Sequence, residues 1–165
     1  MRTLVFALVL TAVATAHADI TGRVVAVTDG DTIKVLDASN TEHKVRLTGI
    51  DAPERGQPFG NKSREHLASM VAGKDVFVET EKNDRYGRVL GKVWVQPNDC
   101  PKCGKTLDAN LAQVTAGMAW WYRYYAKEQL PEDRGRYESA EDEANARKRG
   151  LWVDPHAIPP WEFRR

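Results

Sequence analysis

The sequence has almost no net charge, few cysteines and no apolar stretch of the ~20 residues that a membrane-spanning helix requires. Its 24 Lys and Arg residues are nearly matched by 23 Asp and Glu residues. This balance excludes a long-range electrostatic field as the basis for binding a polyanion, so any affinity for phosphate must come from a local group of arginines. The 165 residues contain no internal repeat or low-complexity segment, which suits one compact domain.

The N-terminus combines a basic residue, an apolar run and a series of small residues. Arg2 precedes the apolar residues 4–10, and the run ends at Ala16-His17-Ala18. This pattern is typical of a secretory signal peptide with an Ala-x-Ala-like cleavage site. We predict that residues 1–18 are a signal peptide, that the protein is exported to the periplasm or the medium, and that the mature chain has no membrane contact. Removal of Arg2 leaves 23 basic residues against 23 acidic ones.

The two cysteines, Cys100 and Cys103, lie in the sequence Cys-Pro-Lys-Cys. In an exported chain a local disulfide is the favoured interpretation. A zinc site needs about four ligands and would have to recruit distant histidines such as His43, His66 or His156. A redox-active pair lacks the βαβ setting in which such motifs occur. Both alternatives remain open at this point.

Alternating apolar residues separated by turn residues predict five β-strands. Three lie within residues 20–47, and two more cover residues 75–80 and 89–95. The strands are interrupted and followed by helices without βαβ alternation. We therefore predict an α+β fold, a five-stranded antiparallel OB-type β-barrel decorated by about three helices.

The helices are predicted from apolar spacing and end signals. One covers residues 61–71, one is capped by Asp108 and extends to Met118, and one covers residues 132–149 and stops at Gly150. The expected inward face of the last helix consists of Tyr137, Ala140, Ala144 and Arg147. The folded domain should span residues 19–154, and the proline-containing residues 155–165 should be irregular.

Three clusters of polar and charged residues stand apart from this pattern. They are Asp29-Gly30-Asp31-Thr32, then Arg46 with Asp51-Ala52-Pro53-Glu54, and finally Asp84-Arg85-Tyr86-Gly87-Arg88. In this order, and with Gly-Leu-Trp after the long helix, the chain resembles the staphylococcal nuclease (thermonuclease-like) family from about Ile20 to Trp152. The resemblance implies hydrolysis of phosphodiester bonds in DNA, with RNA as a further candidate substrate, and products with 3′-phosphate ends.

The candidate metal ligands are Asp31, Asp51 and Ala52. Carboxylates are hard oxygen ligands suited to calcium, which takes ~6–8 oxygens and tolerates several waters. Pro53 favours an extended conformation at Ala52, which could direct the carbonyl of Ala52 towards the ion. The resemblance implies these three contacts and calcium as the cofactor, whereas the residues alone also allow magnesium or manganese.

The candidate catalytic residues are Glu54, Arg46 and Arg88. Hydrolysis of a phosphodiester requires an activated water and positive charge on the phosphate. Glu54 is the candidate general base, a role typically worth ~10²–10⁴ in rate. Arg46 and Arg88 match the family's two arginines that hold the phosphate, since a guanidinium can donate two parallel hydrogen bonds and stays charged at any working pH.

The spacing of Arg46 and Asp51 tests this interpretation. The two residues are five apart, so an uninterrupted strand would place them on opposite faces. Gly49 is the expected position of a bend that brings Asp51 and Glu54 to the same side as Arg46. A regular strand through Gly49 would contradict the proposed site.

An aromatic segment at residues 120–125 supplies candidate substrate-binding residues, since bases can stack on aromatic rings. Alignment on Gly117-Met118-Ala119 puts the family's two base-pocket tyrosines at Arg123 and Tyr125, so the first is replaced here. Tyr86, beside Arg88, is a second candidate for stacking.

Two other function classes compete with the nuclease interpretation. One is a catalytically inactive OB-type module that binds single-stranded nucleic acid. The other is a periplasmic metal or redox protein built around the cysteine pair. The presence of all five expected polar residues of the site argues against the first. A monomer is the default expectation for the oligomeric state.

Overall fold

The computed structural model describes residues 18–164, so nearly all of the predicted signal peptide, residues 1–18, lies outside the described residues. The described chain contains eight strands, four α-helices and two 3₁₀ turns. The strands are β1 Ile20–Asp29, β2 Thr32–Asp37, β3 Glu42–Leu47, β4 Ile50–Asp51, β5 Asp75–Asn83, β6 Val89–Val95, β7 Leu107–Asp108 and β8 Trp120–Trp121. The helices are α1 Gly60–Val71, α2 Ala109–Thr115, α3 Pro131–Ala146 and α4 Pro160–Phe163, and the 3₁₀ turns are Arg123–Glu128 and Gly150–Val153.

Five strands close into a barrel in the order β3-β2-β1-β5-β6, with β3 paired back to β6. The predicted OB-type barrel with about three main helices is therefore confirmed. One detail differs, because the β3–β6 pairing is parallel and the other four pairings in the barrel are antiparallel. A closed ring with an odd number of strands cannot alternate in direction throughout, so one pair must be parallel.

The barrel interior is filled by β-branched and other apolar side chains that alternate along the strands, as the period of two requires. The fully buried strand residues are Ile33, Val35, Val45, Val76, Val78, Val93 and Val95. Helix α1 covers one end with Leu67 and Val71, and Tyr137 from α3 is the largest fully buried side chain. The fold thus forms one core, to which Ala52 of the polar clusters also belongs, and Asp31 and Asp51 are buried as well.

The helices follow the sequence pattern with two differences. Asp108 caps α2 as predicted, with its side chain accepting from the N–H of Leu111, but α2 ends at Thr115 and does not reach Met118. Helix α3 ends at Ala146, earlier than the predicted residue 149, because Lys148 has a left-handed backbone with φ 52°. Arg147 is consequently exposed and does not belong to the inward face.

The C-terminal residues are more ordered than the irregular segment that we predicted. Pro160 begins helix α4, in which it occupies the first turn. Proline is well suited to that position, since its fixed φ is helical and its missing N–H would be unpaired there anyway. Pro160 therefore begins a helix, whereas the sequence analysis predicts that the prolines keep this segment irregular.

Two further features bear on the sequence predictions. Cys100 and Cys103 are joined by a disulfide bond in the connection between β6 and β7. Within residues 18–164, no helix combines the length and the apolar character needed to cross a membrane.

Candidate active site

A cleft of about 960 Å³ opens at one side of the barrel. It is lined by residues from all three polar clusters and from the aromatic segment. The sequence-predicted site residues that contribute to its lining are Asp31, Arg46, Ala52, Glu54, Tyr86, Arg88 and Tyr125. Residues that are as much as 94 positions apart in sequence therefore face one space.

Asp31 lies in the tight turn between β1 and β2. The turn packs so closely against α1 and Ala52 that a Cβ at Gly30 would lie 1.9 Å from Ser63 Oγ and 2.7 Å from the Ala52 Cβ. Gln113 Nε2, which is buried, donates to the carbonyl of Gly30 at 2.6 Å. Only glycine fits at this position, and the turn is thereby fixed with Asp31 at its exit.

The bend expected at Gly49 is present. Strand β3 ends at Leu47, and Gly49 has φ +73°, a left-handed conformation that favours glycine. Asp51 then belongs to a separate short strand, β4, which pairs with β8 through Asp51 and Trp120. The alternation is broken, so that Arg46 and Asp51 lie on the same side.

Arg46 connects the two candidate metal-binding carboxylates. Its Nη2 donates to Asp51 Oδ1 at 2.8 Å, and its Nη1 lies 3.1 Å from Asp31 Oδ2. Nη1 also donates to the carbonyls of Leu47 at 2.9 Å and Ile50 at 3.0 Å. The Arg46 side chain is only 13% exposed, so this guanidinium is held firmly between the carboxylates.

The backbone of residues 52–54 continues the site. The N–H of Ala52 donates to Asp31 Oδ2 at 2.8 Å, so the Ala52 backbone lies directly beside this carboxylate. Glu54 follows in a turn in which its N–H donates to Gln57 Oε1 at 3.1 Å. The Glu54 side chain is 38% exposed, as a group that must contact water and substrate requires.

Burial shifts the acidity of two carboxyl groups here. Burial raises the pKa of Asp51, while hydrogen bonding to Arg164 and the charge of Arg46 oppose that shift. Burial and the neighbouring charge of Asp31 raise the pKa of Asp29 to about 6. Asp29 also accepts from the N–H of Asp31 at 3.2 Å. Arg164 and Arg46 therefore offset part of the cost of burying a negative charge on Asp51.

Arg88 also lines the cleft, directly before β6, the strand that pairs with the Arg46-bearing strand β3. Asp84 fixes it, with Oδ2 accepting from Arg88 Nε at 2.7 Å and Oδ1 accepting from the backbone N–H groups of Arg88 and Tyr86, both at 2.9 Å. Tyr86 is 68% exposed and has the guanidiniums of Arg85 and Arg88 near its ring. Asp84 is thus a positioning residue for Arg88 as well as a turn residue.

The aromatic segment contributes differently from the family alignment. Tyr125 lines the cleft together with Tyr122 and Tyr124. Arg123 is not part of the cleft lining; its guanidinium pairs with Glu141 of α3 and packs over the ring of Trp121 at 4.5 Å. The structure therefore does not bring Arg123 to the other candidate substrate-binding residues, because the 3₁₀ turn that begins at this residue directs it to α3.

Two residues of the cleft were missed by the sequence interpretation. Trp161 of α4 stacks on Tyr122 with ring centroids 5.4 Å apart and an interplanar angle of 26°. Arg164 follows α4 and contacts Asp51 at 2.6 Å and Glu54 at 2.5 Å. Neither residue lies near a recognisable motif. Their position in the cleft is seen only in the folded structure, in which the C-terminal chain packs against the site.

The donor set of the site contains two carboxylates and a backbone carbonyl. Among residues 18–164, no three His, Cys, Asp or Glu side chains gather as a ready metal-binding group. Asp31 and Asp51 nevertheless bind the same guanidinium, so their oxygens face a common cation. Two hard carboxylates beside a backbone segment suit an ion that keeps several waters, as calcium does.

Comparison with known proteins settles the family. The sequence profile described as "Staphylococcal nuclease homologue" matches residues 44–154. The chain belongs to this family.

Its relatives include bacterial proteins of similar length. A micrococcal nuclease from Shigella flexneri is 45% identical over 167 residues, covering 100% of this chain and 92% of that protein. Protein ParB from Escherichia coli is 43% identical over 157 residues, covering 95% and 86%. An uncharacterized endonuclease from Haemophilus influenzae is 39% identical over 145 residues, covering 88% and 73%.

Proposed function

We propose that this staphylococcal nuclease family member is an exported, calcium-dependent nuclease. It hydrolyses phosphodiester bonds of DNA, with RNA as a second candidate substrate, and leaves 3′-phosphate ends. The observation that carries the proposal is the contact of Arg46 with both Asp31 and the buried Asp51, beside a cleft that Asp31, Arg46 and Glu54 line. The relatives named as nucleases support the same reaction class.

Each side chain has a chemical task in this proposal. Asp31 and Asp51, with the carbonyl of Ala52, would hold calcium, which would supply positive charge to the bound phosphate. Glu54 accepts a proton from the attacking water and orients it. Arg46 on β3 and Arg88 directly before the neighbouring strand β6 bind the phosphate and stabilise the charge that develops on its oxygens.

The cleft also suits a flexible polynucleotide. Tyr86, Tyr124 and Tyr125 expose large parts of their rings along its wall, with 68%, 78% and 46% of each residue accessible. Base stacking on such rings is worth ~1–3 kcal/mol per base and does not depend on sequence. A single strand is the substrate form that can present its bases to these rings while its backbone lies beside the arginines.

Hydrolysis of a single-stranded oligonucleotide tests the proposal. We expect cleavage with calcium, none after chelation, and 3′-phosphate termini on the products. Glu54→Gln should abolish most turnover while leaving binding of the oligonucleotide intact, and Glu65→Gln on the exposed face of α1 is the matched control. Binding without turnover in calcium, magnesium or manganese would support the alternative of an inactive nucleic-acid-binding module.

Export is proposed from residues 1–18 alone. We expect the protein recovered from cells to start at Asp19 and to be found in the periplasm or the medium. N-terminal sequencing of the natural product is the direct measurement. A protein that retains residues 1–18 and remains in the cytoplasm would contradict this part of the proposal.

A further inference from the structure

The C-terminal segment, residues 155–164, is docked in the active-site cleft. Pro160 is buried, and Trp161 packs on Tyr122 and against the edge of Trp120, at centroid distances of 5.4 and 6.4 Å. Gln57, in the turn that follows Glu54, donates to the carbonyl of Ile158. The segment therefore has its own apolar and polar anchors on the protein.

Arg164 extends from this segment into the carboxylate group. Its Nη2 lies 2.6 Å from Asp51 Oδ2 and its Nη1 lies 3.3 Å from Asp51 Oδ1. Nη1 also donates to Glu54 Oε1 at 2.5 Å. One guanidinium thus binds both oxygens of a proposed metal ligand and the proposed general base.

These contacts use the oxygens on which catalysis depends. Calcium binds oxygen at 2.3–2.6 Å, so an ion on Asp51 would lie close to a guanidinium nitrogen that is only 2.6 Å from the same carboxylate. Arginine stays protonated at any working pH, and the two cations would repel each other. Glu54, while it accepts from Arg164, is also less free to accept from water.

We propose that the C-terminal segment is an internal competitor for the divalent cation. In the metal-free protein Arg164 neutralises Asp51 and Glu54 and holds the segment in the cleft. Calcium displaces Arg164 and loosens the segment, which opens the cleft to the substrate. The inference rests on the proposed function, because it takes Asp51 as a metal ligand.

Two linked consequences follow. The apparent calcium affinity is reduced by the fraction of molecules in which the segment is docked. The coupling is reciprocal, so bound calcium lowers the affinity of the segment for the cleft by the same factor by which the docked segment lowers the affinity for calcium. The protein should therefore bind calcium more tightly without the segment, and the segment should be more mobile with calcium.

Calorimetric titration with calcium chloride measures the first consequence without any need for nuclease activity. Arg164→Ala should tighten calcium binding on the order of tenfold. Trp161→Ala removes the aromatic anchor and no charge, and should also tighten binding. Arg85→Ala is the matched control, since it removes one positive charge from the same cleft but no contact with Asp51 or Glu54, and should leave the affinity nearly unchanged.

Hydrogen–deuterium exchange measures the second consequence. In the wild-type protein, calcium should increase exchange in peptides from residues 155–165 and decrease it around Asp31 and Asp51. In Asp51→Asn, which lacks the proposed ligand, calcium should leave exchange of the C-terminal peptides unchanged.

Several results would overturn the inference. Equal calcium affinities in the wild type, Arg164→Ala and Trp161→Ala would show that Arg164 does not compete. Unchanged calcium affinity with weaker DNA binding in Arg164→Ala would make Arg164 a third phosphate-binding arginine instead. Absence of calcium binding in every variant would overturn the proposed metal site together with the inference, a result distinct from equal affinities.

Discussion

Arg46 Nη2 donates to Asp51 Oδ1 at 2.8 Å across the bend at Gly49. The bend brings Asp51, which is buried, to the guanidinium of Arg46, which lines the cleft. It also affects the position of Glu54, because the chain continues from Asp51 directly into the turn that contains this residue. The geometry of the site therefore depends on one backbone conformation as well as on its charged side chains.

Replacing Gly49 by alanine should damage both stability and activity. A left-handed conformation costs a non-glycine residue about 1–2 kcal/mol. The new Cβ would also lie 2.1 Å from Gln129 Nε2, and Gln129 accepts from Trp121 Nε1. Gly73→Ala is the control, with φ +70° and open space around the Cβ. Urea unfolding should show a loss in both variants, whereas DNA hydrolysis should fall only in Gly49→Ala.

Replacing Arg46 by alanine should lower turnover by about 10²–10³, the usual effect of removing a stabilising donor. It should also destabilise the metal-free protein by about 3–5 kcal/mol, because Asp31 and Asp51 would lose a buried partner. Calcium should restore part of that stability, since it supplies positive charge to the same oxygens. Turnover near the wild-type value in a folded variant would remove Arg46 from the mechanism.

Asp84 should act on the reaction only through Arg88. Asp84→Asn keeps an oxygen for the backbone N–H groups of the turn but cannot accept from Arg88 Nε. We expect a decrease in kcat of about tenfold and a loss in the free energy of unfolding of about 1.5–3 kcal/mol, the usual value for a hydrogen bond to a charged group. A double-mutant cycle with Arg88→Ala decides the point. Independent, additive losses would contradict a positioning role.

The disulfide between Cys100 and Cys103 should contribute to stability and not to catalysis. Its loop is short, so loop-closure entropy predicts a stabilisation of about 2 kcal/mol. No residue of this connection lines the cleft among those described. The double variant with serine at both positions should therefore unfold at lower urea but hydrolyse DNA at the wild-type rate. Loss of activity in a folded double variant would favour a metal or redox role for this pair.

Asp37 should make stability depend on pH. Hydrogen bonds from His43, the N–H of Thr41 and Ser39 hold the pKa of Asp37 well below its usual range. A lowered folded-state pKa gives stability that is present above the unfolded value of about 3.9 and is lost as the pH falls towards the folded value. Asp37→Asn should thus be less stable than the wild type at pH 7, with a smaller difference at pH 3. Urea unfolding at both pH values measures this.

The sequence predicts the barrel and the central group of the site because both rest on local signals. The alternation of apolar and polar residues predicts the strands, and Gly49 predicts the bend that brings Asp51 to Arg46. The parallel closure of β3 on β6 follows from the number of strands and not from any residue. Alignment predicts Arg123 as a substrate-binding residue, whereas its guanidinium pairs with Glu141 of α3. No local sequence pattern predicts the role of Arg164, because Arg164 and Asp51 are 113 positions apart in the sequence.

Calcium-dependent nuclease activity is measured by hydrolysis of single-stranded DNA with the purified protein. The reaction is followed with calcium, and again with calcium chelated and magnesium supplied, and the ends of the products are identified. We expect cleavage with calcium that leaves 3′-phosphate ends and stops on chelation. Absence of cleavage with any divalent ion, from protein shown to be folded and able to bind the strand, would contradict the proposed function.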